Sequence, residues 1–198
     1  MAAGRYWWYA AMVRVLLRPL ARLRLAAEAF LSSRGLRVPL GPANPGSGGG
    51  ERQSGWSGRP FVVAAVRRGN KSSETSFVPL LEFTNQLHRL RAVYGASDAL
   101  VQTETEEVVE ELQRWCDSQH PRFRLHYTAN ARPGVDVFNS RFAPEGTNMT
   151  EQGSIAVMNL LIGSAGVAIL GSFHSAWLKL MPAFMLARQR KTVVFLCF

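Results

Sequence analysis

From residue 61 onward the chain alternates short apolar runs with longer stretches in which apolar residues recur every three or four positions. The runs 61–66, 98–103, 122–127, 166–172 and 192–198 predict strands, and the stretches 77–94, 105–118, 152–164 and 175–190 predict helices between them. Phe77, Leu80, Leu81, Leu87 and Leu90, with Thr84, form one face of the first helix; Val108, Val109, Leu112 and Trp115 form one face of the second. Strands alternating with helices predict an α/β fold, a doubly wound and mostly parallel sheet. Pro182 counts against the last helix, because an interior proline removes a backbone hydrogen bond.

Upstream, Trp8, Met12, Val15, Leu16, Leu20, Leu23 and Ala27 have helical spacing, and Pro19 divides that pattern into two helices or one kinked helix. Residues 41–58 are dominated by Gly, Pro and Ser around Gly48-Gly49-Gly50, the composition of a flexible loop. The predicted organisation is a helical segment over 1–38, a flexible loop over 39–60 and an α/β domain over 61–198.

The chain has 198 residues, room for one ordinary domain with an appendage, and its 47% hydrophobic content supplies a core. The net charge of +9 points to nucleic acid until it is divided along the chain. Residues 1–60 hold nine Lys and Arg against two acids, whereas residues 61–198 hold fourteen against twelve. The α/β part is thus nearly balanced and lacks the uniform basic face of a nucleic-acid binder, so no nucleic-acid partner is expected. Cys116 and Cys197 fit neither a metal cluster nor a disulfide framework and read as packed thiols. Glu106, Glu107, Glu110 and Glu111 complement the positive N-terminus of a helix rather than converge on a metal. His88, His120 and His126 lack the spacing that brings two imidazoles to one ion. No run of about 20 uncharged apolar residues marks a membrane span.

Three strand ends carry polar residues that a core does not choose. Val66-Arg67-Arg68-Gly69-Asn70-Lys71, with Glu74 beyond it, follows the apolar run 61–65; Thr103-Glu104-Thr105 ends the second strand; Ser172-Phe173-His174-Ser175 ends the fourth. In a parallel sheet all three fall on the carboxyl edge, where ligands of open α/β sheets bind. Two guanidiniums and an ammonium together suit a diphosphate, since Arg donates two hydrogen bonds from one planar fork. The fourth strand end opens a helix, so backbone N–H groups there, helped by the Ser172 and Ser175 hydroxyls, can receive phosphate.

The block Val66 to Lys71, followed by Glu74 and Phe77, resembles the donor-site motif of eukaryotic α1,6-fucosyltransferases, V-R-R-T-D-K and then E and F. Trp7-Trp8 and Leu16-Leu17-Arg18-Pro19 resemble the W-W and L-I-R-P that precede it, Thr103-Glu104 a T-D pair, and Ser172 to Ser175 a T-F-S-S stretch. The resemblance covers nearly the whole chain, as the C-terminal, Rossmann-like nucleotide-binding half of a GT-B-type glycosyltransferase. It departs at Ala65, where the pattern has His, and at Gly69-Asn70, where it has Thr-Asp. A family Asp that reads guanine corresponds to Asn159, and an amide cannot accept two N–H donors as a carboxylate does. His174 stands near the phosphates in place of a small hydroxyl residue.

The resemblance implies transfer of fucose from GDP-fucose to the innermost N-acetylglucosamine of an N-glycan, with inversion, without a metal or other cofactor, in the Golgi. It implies Glu74 as general base assisted by Lys71, and donor binding by Arg67, Arg68, Asn70, Thr103, Glu104, Asn159, Ser172, His174 and Ser175. The partners are then a nucleotide-sugar donor and a glycan or glycoprotein acceptor. The alternative is a truncated or non-catalytic relative that keeps the sheet for binding a nucleotide or a partner. The sequence leaves oligomeric state open.

Overall fold

The computed structural model describes residues 21–39, 56–68, 77–129, 148–171, 176–189 and 194–197. Helix α1 (Ala21–Ser33) begins two residues after Pro19 and buries Ala27 and Leu31, four positions apart. It ends at Gly35, whose φ of +60° is accessible to glycine without steric cost. There the Gly35 N–H donates to the Ser32 carbonyl at 2.9 Å and the Leu36 N–H to the Leu31 carbonyl at 2.9 Å, the paired closing bonds of a Schellman cap. The chain then forms β1 (Val38–Pro39), antiparallel to β2 (Trp56–Ser57). Composition had assigned Trp56 and Ser57 to the flexible loop. They pair because Arg37 N–H donates to the Arg59 carbonyl at 2.9 Å and Arg59 N–H to the Gly35 carbonyl at 3.0 Å, which sets the register beside them.

The domain continues as β3 (Phe61–Ala65), α2 (Leu80–Tyr94), β4 (Asp98–Gln102), α3 (Glu106–Ser118), β5 (Arg124–His126), α4 (Met149–Gly163), β6 (Ala168–Gly171), α5 (Ala176–Gln189) and β7 (Val194–Cys197). The five strands β3 to β7 form one parallel sheet in the order β5-β4-β3-β6-β7. The expected α/β, doubly wound class is what the chain adopts. It builds outward from β3 through β4 to β5, then returns to the other side of β3 with β6. The carboxyl ends of β3 and β6 therefore flank the switch point at which such sheets hold ligands.

Every residue of β3 is buried, which is why its sequence is an unbroken apolar run rather than an alternating one. Phe61, Val63 and Ala65 join Leu100 and Ile169 against Leu31, Ile162 and Met181 of α1, α4 and α5. Val62, Ala64 and Val66 join Ala99, Val101 and Leu170 against Phe83, Leu87, Leu112 and Cys116 of α2 and α3. Each fully buried large side chain contributes about 1.5–3 kcal/mol. A charge at Val63, paired through the backbone with Leu100 on one side and Ile169 on the other, would break the sheet at its centre.

Some boundaries shift. α4 starts earlier than its apolar pattern, because the Asn148 Oδ1 accepts the Glu151 N–H at 3.1 Å and caps it. β5 is shorter than 122–127: Arg122 is exposed, and Phe123 turns into the α2–α3 core. Pro182 lies inside α5 after all. Its neighbours Met181, Ala183 and Met185 are buried, and that packing holds the helix through the lost bond. Among the described residues no helix is long and apolar enough to cross a membrane.

Candidate functional site

The first and second strand ends come together as the topology requires. Just beyond β3 the Val66 N–H still donates to the carbonyl of Gln102, the last residue of β4, at 3.0 Å, so the two segments leave the sheet side by side. Arg67 and Arg68 emerge there, opposite Thr103 and Glu104. The Glu104 Oε1 accepts the Arg68 backbone N–H at 2.8 Å and stands 3.7 Å from the Arg67 Nε. The second distance is an ion pair but too long for a hydrogen bond, so among the described residues the Arg67 guanidinium donates no hydrogen bond. Its side chain is 34% exposed, enough for a ligand to reach. The Arg68 guanidinium lies over the Phe77 ring, 5.2 Å from its centroid, which restricts the second cation without neutralising it.

Glu104 thus has its partners within the protein. A carboxylate turned toward a diphosphate repels it, whereas one that holds the backbone and flank of two arginines sharpens where their charge points. Thr103 Oγ1 accepts the Thr105 N–H at 3.3 Å and closes the turn into α3. Thr105 is the N-cap of α3, but its hydroxyl caps nothing; among the described residues it is buried without a hydrogen-bond partner. Thr105 is easy to overlook in the sequence, since a threonine before a helix ordinarily reads as a cap.

Asn159 lies on α4 against the end of β4. Its carbonyl accepts the Gln102 Nε2 at 2.8 Å, and its Oδ1 accepts the Thr128 hydroxyl at 3.0 Å. The backbone of Asn159 is thus held by Gln102 beside the carboxyl edge, and its side-chain amide oxygen already serves the Thr128 hydroxyl. α4 closes this side tightly: a Cβ on Gly163 would stand 2.7 Å from Met181 Cε and 3.1 Å from Gln102 Nε2. Gln102 and Thr128, which orient Asn159, carry no signal of that task in the sequence.

Asn70, Lys71, Glu74, Ser172, His174 and Ser175 lie outside the described residues. Gly171, the last residue of β6, pairs in register with Ala65, the last of β3, so the chain enters 172–175 from the same edge that bears Arg67. Ala65, which stands where the family pattern has a histidine, is buried and offers no polar group.

No family model matches the sequence, and no curated protein matches it. Solved structures do. A crystal structure of POFUT1 in complex with GDP superimposes with a TM-score of 0.59 at 10% identity over 96% of this chain and 50% of the other. POFUT1 in complex with GDP-fucose gives 0.59 at 12% identity over 94% and 48%. The fold is shared with POFUT1. The chain spans about half the length of these structures. At such identity the likeness establishes the fold, a Rossmann-like sheet with helices on both faces, and the site must be read from its own residues.

Proposed function

We propose that this chain is the nucleotide-sugar-binding part of a fucosyltransferase-like glycosyltransferase whose donor is GDP-fucose. The observation that carries this reading is the pair Arg67 and Arg68, set at the carboxyl end of the central strand β3 on a fold shared with proteins crystallised with GDP and GDP-fucose. Arg67 binds the diphosphate and Arg68 assists. Charge-assisted bonds of this kind contribute about 1.5–3 kcal/mol each. Glu104 positions both arginines and Asn159 borders the base.

In the transfer, an acceptor hydroxyl oxygen attacks the anomeric carbon of fucose. The bond from that carbon to the β-phosphate oxygen breaks, and the configuration inverts. Glu74, helped by Lys71, takes the hydroxyl proton, a contribution typically of a hundred- to ten-thousand-fold. GDP departs with an added negative charge that Arg67 stabilises. The finer reading, α1,6 transfer to the core N-acetylglucosamine of an N-glycan in the Golgi, rests on the motif blocks around Val66 to Lys71.

Isothermal titration of GDP against the protein and its Arg67→Ala variant tests this. Binding by the first that weakens at least tenfold in the second is expected; equal heats from both, or none from either, reject it. A second reading, binding without transfer, is favoured by Ala65, which supplies no imidazole at the end of β3. GDP-fucose bound but not consumed in the presence of an N-glycan acceptor would select it.

A further inference from the structure

Two triplets of the form Asn-X-Ser/Thr, with X other than Pro, stand in the sequence: Asn70-Lys71-Ser72 and Asn148-Met149-Thr150. This is the acceptor pattern for N-linked sugar. The first triplet lies outside the described residues and falls in the block that carries Arg67 and Lys71. The second opens α4. Asn148 is the N-cap of that helix, with φ −77° and ψ 95°, and both Asn148 and Thr150 are exposed.

Capping accounts for only part of the second triplet. The Asn148 Oδ1 accepts the Glu151 N–H at 3.1 Å, and the Asn148 carbonyl accepts the Gln152 N–H at 3.0 Å. Asn at the cap and Glu three residues later are what a helix start favours. A hydroxyl at position 150 has no part in that: the Thr150 carbonyl accepts the Ser154 hydroxyl at 2.9 Å, and the Thr150 hydroxyl itself bonds nothing among the described residues. The cap also fixes which end of the Asn148 amide faces the helix. A backbone N–H needs an acceptor, so the oxygen turns inward and Nδ2 is left to solvent.

We propose that Asn148 is an N-glycosylation site, modified on Nδ2 by an oligosaccharide carried on a lipid diphosphate. The compartment in which such donors occur rests on the glycosyltransferase reading above. In the transfer a bond forms from Nδ2 to the anomeric carbon of the first sugar, and the bond from that carbon to the diphosphate oxygen breaks. The lipid diphosphate leaves with the electron pair, and one amide proton is released. The product is still an amide, so Oδ1 goes on accepting the Glu151 N–H and the cap on α4 survives the modification. Asn148 lies about 16 Å along the axis of α4 from Asn159, at the helical rise per residue, so its glycan is well separated from the end of the helix that borders the donor site. A glycan on Asn70 would instead sit within the Arg67–Lys71 block. Asn148 is the triplet whose use leaves that site open.

The test expresses the full chain behind a cleavable secretion signal in cultured animal cells. Peptide N-glycosidase F in heavy-oxygen water then converts each glycosylated Asn to labelled Asp, which mass spectrometry locates in the total cell lysate, so a variant that folds poorly and stays inside the cell is still scored. Label at position 148 is expected in the parent and in Thr150→Ser, and none there in Asn148→Gln or Thr150→Ala. Thr150→Ala keeps the capping oxygen, so its loss of label reports the hydroxyl and not the helix start. No label at 148, label confined to Asn70, or label retained in Thr150→Ala each overturns the proposal. GDP titration of the same protein separates the two readings: label at 148 without GDP binding upholds the site and rejects the proposed function, whereas GDP binding without label rejects the site alone.

Discussion

Glu104 and Arg68 are joined through the backbone: one carboxylate oxygen accepts the Arg68 N–H at 2.8 Å, across the gap between the ends of β4 and β3. This bond fixes the segment from which Arg67 and Arg68 project. Glu104→Gln keeps an oxygen for that N–H and is expected to hold GDP within a few-fold of the parent. Glu104→Ala leaves the N–H without its partner and lets the strand exit move, so GDP affinity should fall on the order of tenfold, comparable with the net worth of one such bond. Isothermal titration of the two variants checks the order. Equal losses would mean that the charge of Glu104, not its acceptor oxygen, matters.

Asp98 is the buried charge on which the amino edge depends, with only 1% of its side chain exposed. Burial alone raises a carboxyl pKa, but the bonds from Arg124, His126 and Arg59 outweigh it and hold Asp98 well below the usual carboxylate range. A folded pKa below the unfolded value stabilises the fold at pH above the unfolded value near 4 and loses that stabilisation as pH falls through the folded one. Urea unfolding of the parent should therefore show stability dropping from about pH 5 toward pH 2, and Asp98→Asn should flatten that dependence. At pH 7 the variant is expected to lose about 2–3 kcal/mol, less than for a fully enclosed pair because both arginines reach water.

The sheet was legible in the sequence because buried parallel strands must be apolar on both faces, and Phe61 to Ala65 could be little else. The carboxyl-edge cluster was legible for the same reason: Arg67 and Arg68 directly after such a run have nowhere to point but outward. Pairing across sequence distance was not. Nothing in the local pattern around Trp56 connects it to Pro39, since the register is set by Arg59 and Gly35. Asp98 read as the first residue of a strand; its importance arises only when Arg59, Arg124 and His126 converge on it. Asn159 was singled out by resemblance, while the Gln102 and Thr128 side chains that bond it are specified by packing.

Gly58 tests that register. Its φ of +93° is strained for any side chain, and a Cβ there would stand 2.4 Å from the Leu36 carbonyl oxygen, a backbone atom that cannot swing aside. Gly58→Ala is expected to cost about 1–3 kcal/mol. Amide hydrogen exchange should localise the loss to Leu36, Arg37 and Arg59, whose bonds tie the approach to β3 to the end of α1. Loss of protection spread evenly over the sheet would contradict this.

Cys116 is buried on α3, and burial pushes its thiol up to about 12. In a Cys197→Ser background it should resist a thiolate-selective reagent at pH 8 until urea unfolds the chain. Rapid native labelling would show that α3 opens readily.

The Thr105 hydroxyl is buried with no hydrogen-bond partner among the described residues. A hydroxyl buried without a partner costs about 1–3 kcal/mol of desolvation, and valine fills nearly the same volume without it. Thr105→Val is therefore expected to raise stability by about 1 kcal/mol in urea unfolding. Thr105 is the N-cap of α3 and directly follows Glu104, whose carboxylate accepts the Arg68 N–H. If the Thr105 hydroxyl serves the donor, the stabilised variant should bind GDP-fucose more weakly while its affinity for GDP is unchanged, since the orphan then meets the sugar and not the diphosphate. Parallel losses for both ligands would place the hydroxyl at the phosphates. Unchanged affinity for both would leave it a defect of packing, retained without a binding task.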